Sequence, residues 1–261
     1  MSDTERKSVV LAAFLHDVGK LLQRAGVQPD DQFDTDYWLQ ELCHRHRDHH
    51  TYRHAMLTAY FIDRFLPDPP EGLNKNSVFH QAAYHHRPHD DHWLDWVIVA
   101  ADWIASGAER YDAIREEAHF RMVRLHPVFA LIGLNGRQPD PADVRWDYPL
   151  EPLDLKDTVL FPEATRRDDF TGGFLSLWEG FRNDLQRLHR DSFQAYFNGL
   201  FHLMYRYAWC VPSASNVYPD ISLFDHSRVT AALAVCLYEH PQWARERLPG
   251  ISPERLRQLE D

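Results

Sequence analysis

Cysteine is nearly absent from this sequence. Cys43, Cys210 and Cys236 are scattered and odd in number, which argues against a disulfide framework, leaves no zinc-binding pair and points to a reduced, cytoplasmic setting. Long apolar runs are missing too. The richest stretch, 93–104, is broken by Asp95 and Asp102, so nothing reads as a membrane span. The opening MSDTERKSVV lacks the basic-then-apolar order of a signal peptide. Positive charge is also short: 28 Lys and Arg stand against 39 Asp and Glu, a formal net charge of −11. A chain of that balance does not grip a nucleic-acid backbone by bulk electrostatics. Contact with a polyanion must come from a local patch, bound cations or partner subunits.

What is present is an ordinary globular balance, 44% hydrophobic and 26% charged over 261 residues. That suits one large domain, or one domain with a sizeable insertion. Histidine is the excess, at 17 residues, and histidine is both a metal ligand and an acid–base group. His44, His46, His49 and His50 read as surface residues. Many of the others are open to the same surface reading, but an excess of this size asks for an explanation.

The pattern predicts a mainly α protein. A first helix is expected over 4–24, where Val10, Phe14, Val18 and Leu21 recur at helical spacing, with Gly26 and Pro29 ending it. An aspartate-rich loop follows over 28–36. A second amphipathic helix is expected over 52–65, a short one over 77–84, and an almost wholly apolar one over 93–106. From 107 to about 162 prolines break the chain, and 128–134 and 158–161 read as short strands with Asn135-Gly136 as a turn. Helical periodicity returns over 170–209, and a last strong helix is expected over 225–238. The organisation expected is helices over 1–106, a proline-rich mixed α/β insertion over 107–165, and a helical part over 166–261.

Chemistry gathers at His16-Asp17-Val18-Gly19-Lys20. Neighbouring side chains on a helix point about 100° apart, so His16 and Asp17 can both reach a metal over one face. Lys20 lies one turn on, where it can meet a phosphate. Asp102 interrupts an apolar sequence and has no adjacent Lys or Arg, so a buried position there calls for a cation. His85-His86 stands where a helix gives out. His54 lies on the second helix, with Thr58 at helical spacing, and His226 opens the last helix behind Asp225, a possible N-cap. Each has a bland reading, as a core histidine, an exposed ring or a solvated carboxylate, but together they are harder to dismiss.

LAAFLHDVGK resembles the signature of HD-superfamily phosphohydrolases. More specifically, HAMLTAYFIDRF, AYHHRP, ADWIASGAER, YPLEPLDLKDTVLFP and VPSASNVYPDISLFDHSRVTAALA resemble the HD nuclease region of the large subunit of type III CRISPR effector complexes. The resemblance runs in order from Val9 to Tyr238. It implies a circularly permuted HD-domain helical bundle in which DHSRVTAALAVCLY is the displaced helix. It further implies one metal on His226, His16, Asp17 and Asp102, a second on Asp17, His54, His85 and His86, and Lys20 on phosphate. The full-length family members continue into palm domains with a Gly-Gly-Asp-Asp motif that makes cyclic oligoadenylate. That motif is absent here, so the chain is expected to be either truncated or stand-alone, and no cyclase chemistry is assigned to it.

The expected function is metal-dependent hydrolysis of a phosphodiester, with His16, Asp17 and Lys20 as the catalytic residues. The resemblance implies single-stranded DNA as substrate, and other subunits and the guide RNA of a type III CRISPR complex as partners. Mixed imidazole and carboxylate donors suit manganese, nickel or cobalt, with iron or zinc compatible. The alternatives are an HD nucleotide phosphohydrolase using the same site and a catalytically silent HD scaffold module. Trp38, Tyr84, Trp93 and Trp103 are expected mostly in the core rather than stacked on bases. The arginines (Arg45, Arg47 and Arg53; Arg121 and Arg124; Arg182, Arg187 and Arg190) are expected on solvated faces.

Overall fold

The computed structural model describes residues 2–47, 49–107, 120–133, 145–165, 170–215, 218–252 and 255. The chain begins with α1 (Asp3–Leu15), capped by Ser2, whose hydroxyl accepts from the Glu5 amide at 3.1 Å, with Asp3 and Glu5 favourably placed in the first turn. From Leu11 to Leu15 every residue of α1 is buried, and this segment lies in the core of the molecule.

The single helix expected over 4–24 is two helices. After Leu15 the chain tightens into three-residue bonds, with the Val18 amide on the Leu15 carbonyl (3.0 Å) and the Lys20 amide on Asp17 (2.9 Å), before α2 (Gly19–Arg24) resumes. The cause lies far away in sequence. The Thr58 hydroxyl accepts from the Gly19 amide (3.0 Å) and donates to the His16 carbonyl (2.8 Å), inserting a side chain into the helical ladder. Gly26, at φ 72°, closes α2, and the Val27 amide returns to the Leu22 carbonyl at 3.0 Å.

A helix the sequence reading did not anticipate, α3 (Thr35–Leu42), is capped by Asp34 and leads into a two-residue hairpin of β1 (Arg45–His46) and β2 (His49–His50). Then come α4 (Arg53–Arg64), α5 (Lys75–Ala83) running into a 3₁₀ turn at Tyr84–His86, and α6 (Trp93–Gly107), near the bounds expected. Later elements are α8 (Thr171–Leu185), α9 (Phe193–Ala208), α10 (Leu223–Tyr238) and the unanticipated α11 (Pro241–Arg247). The N-cap of α10 is Ser222, not Asp225; Asp225 is the acid of the first turn, its amide donating to Ser222 Oγ and its carboxylate accepting from it.

The expected strands over 128–134 and 158–161 are corrected. Val128–Leu131 is a 3₁₀ turn, and α7 (Asp157–Leu160) is a helical turn. The pairing strands lie elsewhere, β3 (Trp146–Asp147) against β4 (Glu163–Ala164). Phe129 and Ile132 are exposed, so nothing draws that run into a sheet; short apolar runs do not settle helix against strand by themselves. The turn expected at Asn135-Gly136 lies outside the described residues. Arg124, expected on a solvated face, is buried and holds the small sheet together: Nη1 donates to Glu163 at 2.8 Å, and Nε lies 3.5 Å from Asp147.

α1 packs against α10, α6 and α5, while α2 packs against α4 and α8. Phe14 of α1 meets Phe197 and Phe201 of α9 and Phe224 of α10, with ring centroids 5.4, 5.7 and 6.4 Å away. The last long helix, α10, is thereby returned to the first. Tyr84 is buried, and Trp38, Trp93 and Trp103 pack against the core as expected.

Candidate metal centre

His16 and Asp17 occupy the joint between α1 and α2, not the interior of one helix. Freed from regular helix, both side chains turn inward and are buried. His16 Nδ1 lies 2.7 Å from the Ala13 carbonyl; a carbonyl only accepts, so Nδ1 carries the proton and Nε2 offers its lone pair to the centre. His85, where α5 gives way to the 3₁₀ turn, repeats the device with the Ala82 carbonyl at 2.7 Å. Two histidines at two helix ends are thus set in the same tautomer by the same local contact.

The residues picked out by sequence converge as two adjoining groups around Asp17. In the first, His16 Nε2 lies 3.3 Å from Asp17 Oδ2, 3.6 Å from Asp102 Oδ1 and 3.3 Å from His226 Nε2. His226 Nε2 in turn lies 3.4 Å from Asp17 Oδ2 and 3.1 Å from Asp102 Oδ1. In the second, Asp17 Oδ1 faces His54 Nε2 at 3.3 Å and His85 Nε2 at 3.7 Å, and His54 Nε2 meets His86 Nε2 at 2.8 Å. One carboxylate therefore presents each oxygen to a different cluster. Lys20 Nζ closes on Asp17 Oδ2 at 2.6 Å with its side chain partly open to solvent.

The donor set fits divalent cations. Asp17 Oδ1 and His85 Nε2 are buried and face one another without a hydrogen-bond donor for either. Two acceptors do not stabilise each other in a low-dielectric interior; a positive charge between them does. The electrostatics agree. Burial opposes a charged His16, but the Asp17 and Asp102 carboxylates outweigh it and raise the imidazole to about 9, so a proton stands where a cation fits. Burial also opposes ionisation of Asp17, yet Lys20 and His16 hold it well below the usual carboxylate range. Asp102 is held low against burial by His16 and His226. His54 and His85 are pushed down to about 3 and about 4, by burial above all, and stay neutral as ligands must.

Three supporting residues carry more than the sequence reading gave them. Gly19 lets α2 approach α4 so closely that a Cβ there would lie 2.0 Å from the His54 carbonyl and 2.6 Å from the Thr58 amide. Thr58 pins the joint. Tyr52, in the left-handed region at φ 58° just ahead of α4, is exposed and stacks on His86 with centroids 4.0 Å apart. The glycine after HDV and the threonine one turn beyond His54 were the signals available for the first two. His44, read as a surface residue, also contributes, its Nε2 2.9 Å from the His86 carbonyl.

The HD domain family model matches residues 2–123. Curated relatives include the CRISPR system single-strand-specific deoxyribonuclease Cas10/Csm1 (subtype III-A) of Methanocaldococcus jannaschii, 24% identical over 249 residues, and that of Streptococcus thermophilus, 25% identical over 242 residues. Each alignment covers 90% of this chain and 28% of the relative, so the chain spans little more than a quarter of their length. Among solved structures, Csm1 of T. onnurineus superposes with a TM-score of 0.56 at 18% identity, covering 90% of this chain and 28% of that one. A Csm1–Csm4 subcomplex of the type III-A interference complex gives 0.50 at 20% identity, covering 91% and 28%. The mainly helical fold, with His226 delivered to His16 by the last long helix, is that of a circularly permuted HD bundle. Over residues 2–123 the chain is similar to the HD domain family, and over 90% of its length it is similar to the Cas10/Csm1 proteins of subtype III-A CRISPR systems.

Proposed function

We propose that this chain is a metal-dependent phosphodiesterase that cleaves single-stranded DNA, as the nuclease portion of a type III CRISPR effector complex. The observation that carries the reading is Asp17, buried with one oxygen toward His16, Asp102 and His226 and the other toward His54 and His85. The names of its relatives, single-strand-specific deoxyribonucleases, supply the substrate class. His16, Asp17, Asp102 and His226 would hold one divalent cation, and Asp17 with His54, His85 and His86 would hold a second. Manganese, nickel or cobalt suit these donors, with iron or zinc compatible. Such cations supply Lewis acidity, lowering the pKa of a water and neutralising charge on phosphate oxygens.

The chain's own residues do the rest. Asp17 fixes the spacing of the two clusters. The carbonyls of Ala13 and Ala82 hold the His16 and His85 rings with Nε2 inward. Lys20, partly exposed beside Asp17, donates to a phosphate oxygen of the strand. The exposed ring of Tyr52 offers a base a stacking face at the rim of the site. The other subunits and guide RNA of the complex are the partners, in the cytoplasm, where the free cysteines persist. No helix among the described residues is long and apolar enough to cross a membrane.

The test is metal content and cleavage, for wild type and His16→Ala/Asp17→Ala, on chelator-stripped protein reloaded with manganese, nickel, cobalt or magnesium. We expect cleavage of single strands but not duplex, lost in the variant together with bound metal. Hydrolysis of mononucleotides without strand cleavage would transfer the site to a nucleotidase. Neither metal uptake nor cleavage would leave a scaffold.

A further inference from the structure

A second set of histidines gathers on α5 and on the connection from α5 to α6, and shares no residue with the centre around Asp17. Asp95, in the first turn of α6, is completely buried, yet no Lys or Arg pairs with it among the described residues. Imidazoles take that place. His80 Nε2 lies 3.1 Å from Asp95 Oδ2, His89 Nδ1 3.5 Å and His92 Nδ1 3.9 Å, while His92 Nδ1 and His80 Nε2 are 2.9 Å apart. All four donor atoms lie within 4.8 Å of one another. Asp95 Oδ1 and His89 Nδ1 are both buried with no hydrogen-bond partner.

We infer that His80, His89, His92 and Asp95 form a zinc site, separate from the candidate catalytic centre, that clamps α5 to α6. The argument is one of unmet demand. A carboxylate at this depth is costly without a cation, and among the described residues the side chains turned toward it are imidazoles, with no Lys or Arg. Three imidazoles and one carboxylate are a zinc donor set, and donors about 2.0–2.1 Å from a tetrahedral zinc lie about 3.4 Å apart, the range in which these atoms already stand. The Trp96 indole donates to the His89 carbonyl at 3.0 Å, and the His89 amide donates to Asp95 Oδ2 at 3.3 Å, so the connection between the helices is already folded around the site. An adjoining cavity of about 410 Å³, lined by His80, His92 and Asp95 with Asn76, Ser77 and Gln81, gives the ion an entry path.

The consequence is mechanical. The connection through His89 and His92 joins the helix that runs into His85 and His86 to the helix that carries Asp102. A zinc ion there fixes the relative placement of those ligands without touching them. The inference does not rest on the chain being a nuclease.

The experiment is calorimetric titration of the chelator-stripped full chain with Zn²⁺, in the His16→Ala/Asp17→Ala background, with and without His89→Ala/His92→Ala. Any zinc held by His54, His85 and His86 is common to both proteins and cancels. We expect one equivalent to disappear with the two histidines, or its affinity to fall by more than about 100-fold. We also expect a zinc-induced rise in Tm of about 5 °C to be lost with it. Equal stoichiometry and equal Tm shifts in the two proteins would overturn the inference. His92 has a largely exposed ring, so His92→Asn serves as a milder variant should the double substitution disturb folding. Zinc affinity unchanged in it as well would be equally decisive.

Discussion

At the scale of single residues the centre is governed by competition for one proton. Burial disfavours a charged His16, but Asp17 and Asp102 raise it from 6.5 to about 9. A raised basic group is protonated in the fold and not in the unfolded chain between those values. In metal-free protein its stabilising contribution is therefore complete below pH 6.5 and is lost as pH rises through about 9. The same proton must leave before Nε2 can bind a cation. Apparent affinity for Mn²⁺ should thus climb by up to about tenfold per pH unit between roughly pH 7 and 9, and level off above. Titrations at half-unit steps read this directly. A flat profile across that range would mean that His16 is not the proton's home, or not a ligand.

Helices and their joints are the next scale, and here the sequence was unevenly legible. The amphipathic α4, the largely apolar α6 and the late α10 lie close to where the sequence pattern put them, and the residues named as candidate ligands fall into two groups, His16, Asp17, Asp102 and His226 in one and His54, His85 and His86 in the other. The break after Leu15 could not be read locally, because Thr58, from another helix, makes it. α3 has Leu42 as its sole buried residue, so it left little periodic trace. The cluster at Asp95 went unnoticed because His89 and His92 look like surface residues one at a time. Gly19 supplies the prediction at this scale. Alanine there meets backbone atoms of His54 and Thr58, which cannot rotate aside. Overpacking of this kind costs about 1–3 kcal/mol, and it pushes on the turn that carries His54. Gly19→Ala should lower the urea midpoint accordingly and weaken metal binding. Thr58→Val should also destabilise, by leaving the Gly19 amide and His16 carbonyl buried and unpaired, whereas Thr58→Ser, which keeps both bonds, should behave like wild type. Indifference to all three would show that the α2–α4 approach does not define the site.

Over the whole molecule the question is what holds a strand, given a net charge of −11. Part of the basic complement is committed to the fold. Arg24 is buried, donating to the carbonyls of Phe120, Val123 and Pro212, and burial draws its guanidinium down to about 9. Arg124 holds the small sheet, and Arg6, Arg64, Lys75 and Arg228 lie against Glu239, Asp30, Asp68 and Asp225. Binding that relies on many phosphate contacts is salt-steep, with log K falling by about 0.7 per contact on single strands for each unit of log salt. With a net charge of −11 few such contacts are expected, so a strand would be held by Lys20, by stacking on exposed rings such as Tyr52, and by cations in the centre. Anisotropy titrations of a labelled single strand on chelator-stripped His16→Ala/Asp17→Ala protein, from 50 to 200 mM salt, should give weak binding and a slope no steeper than about −2. A slope near −5 would require a concentrated basic surface of about seven phosphate contacts, and the strand would then be steered by the chain's own surface and not by the candidate centre.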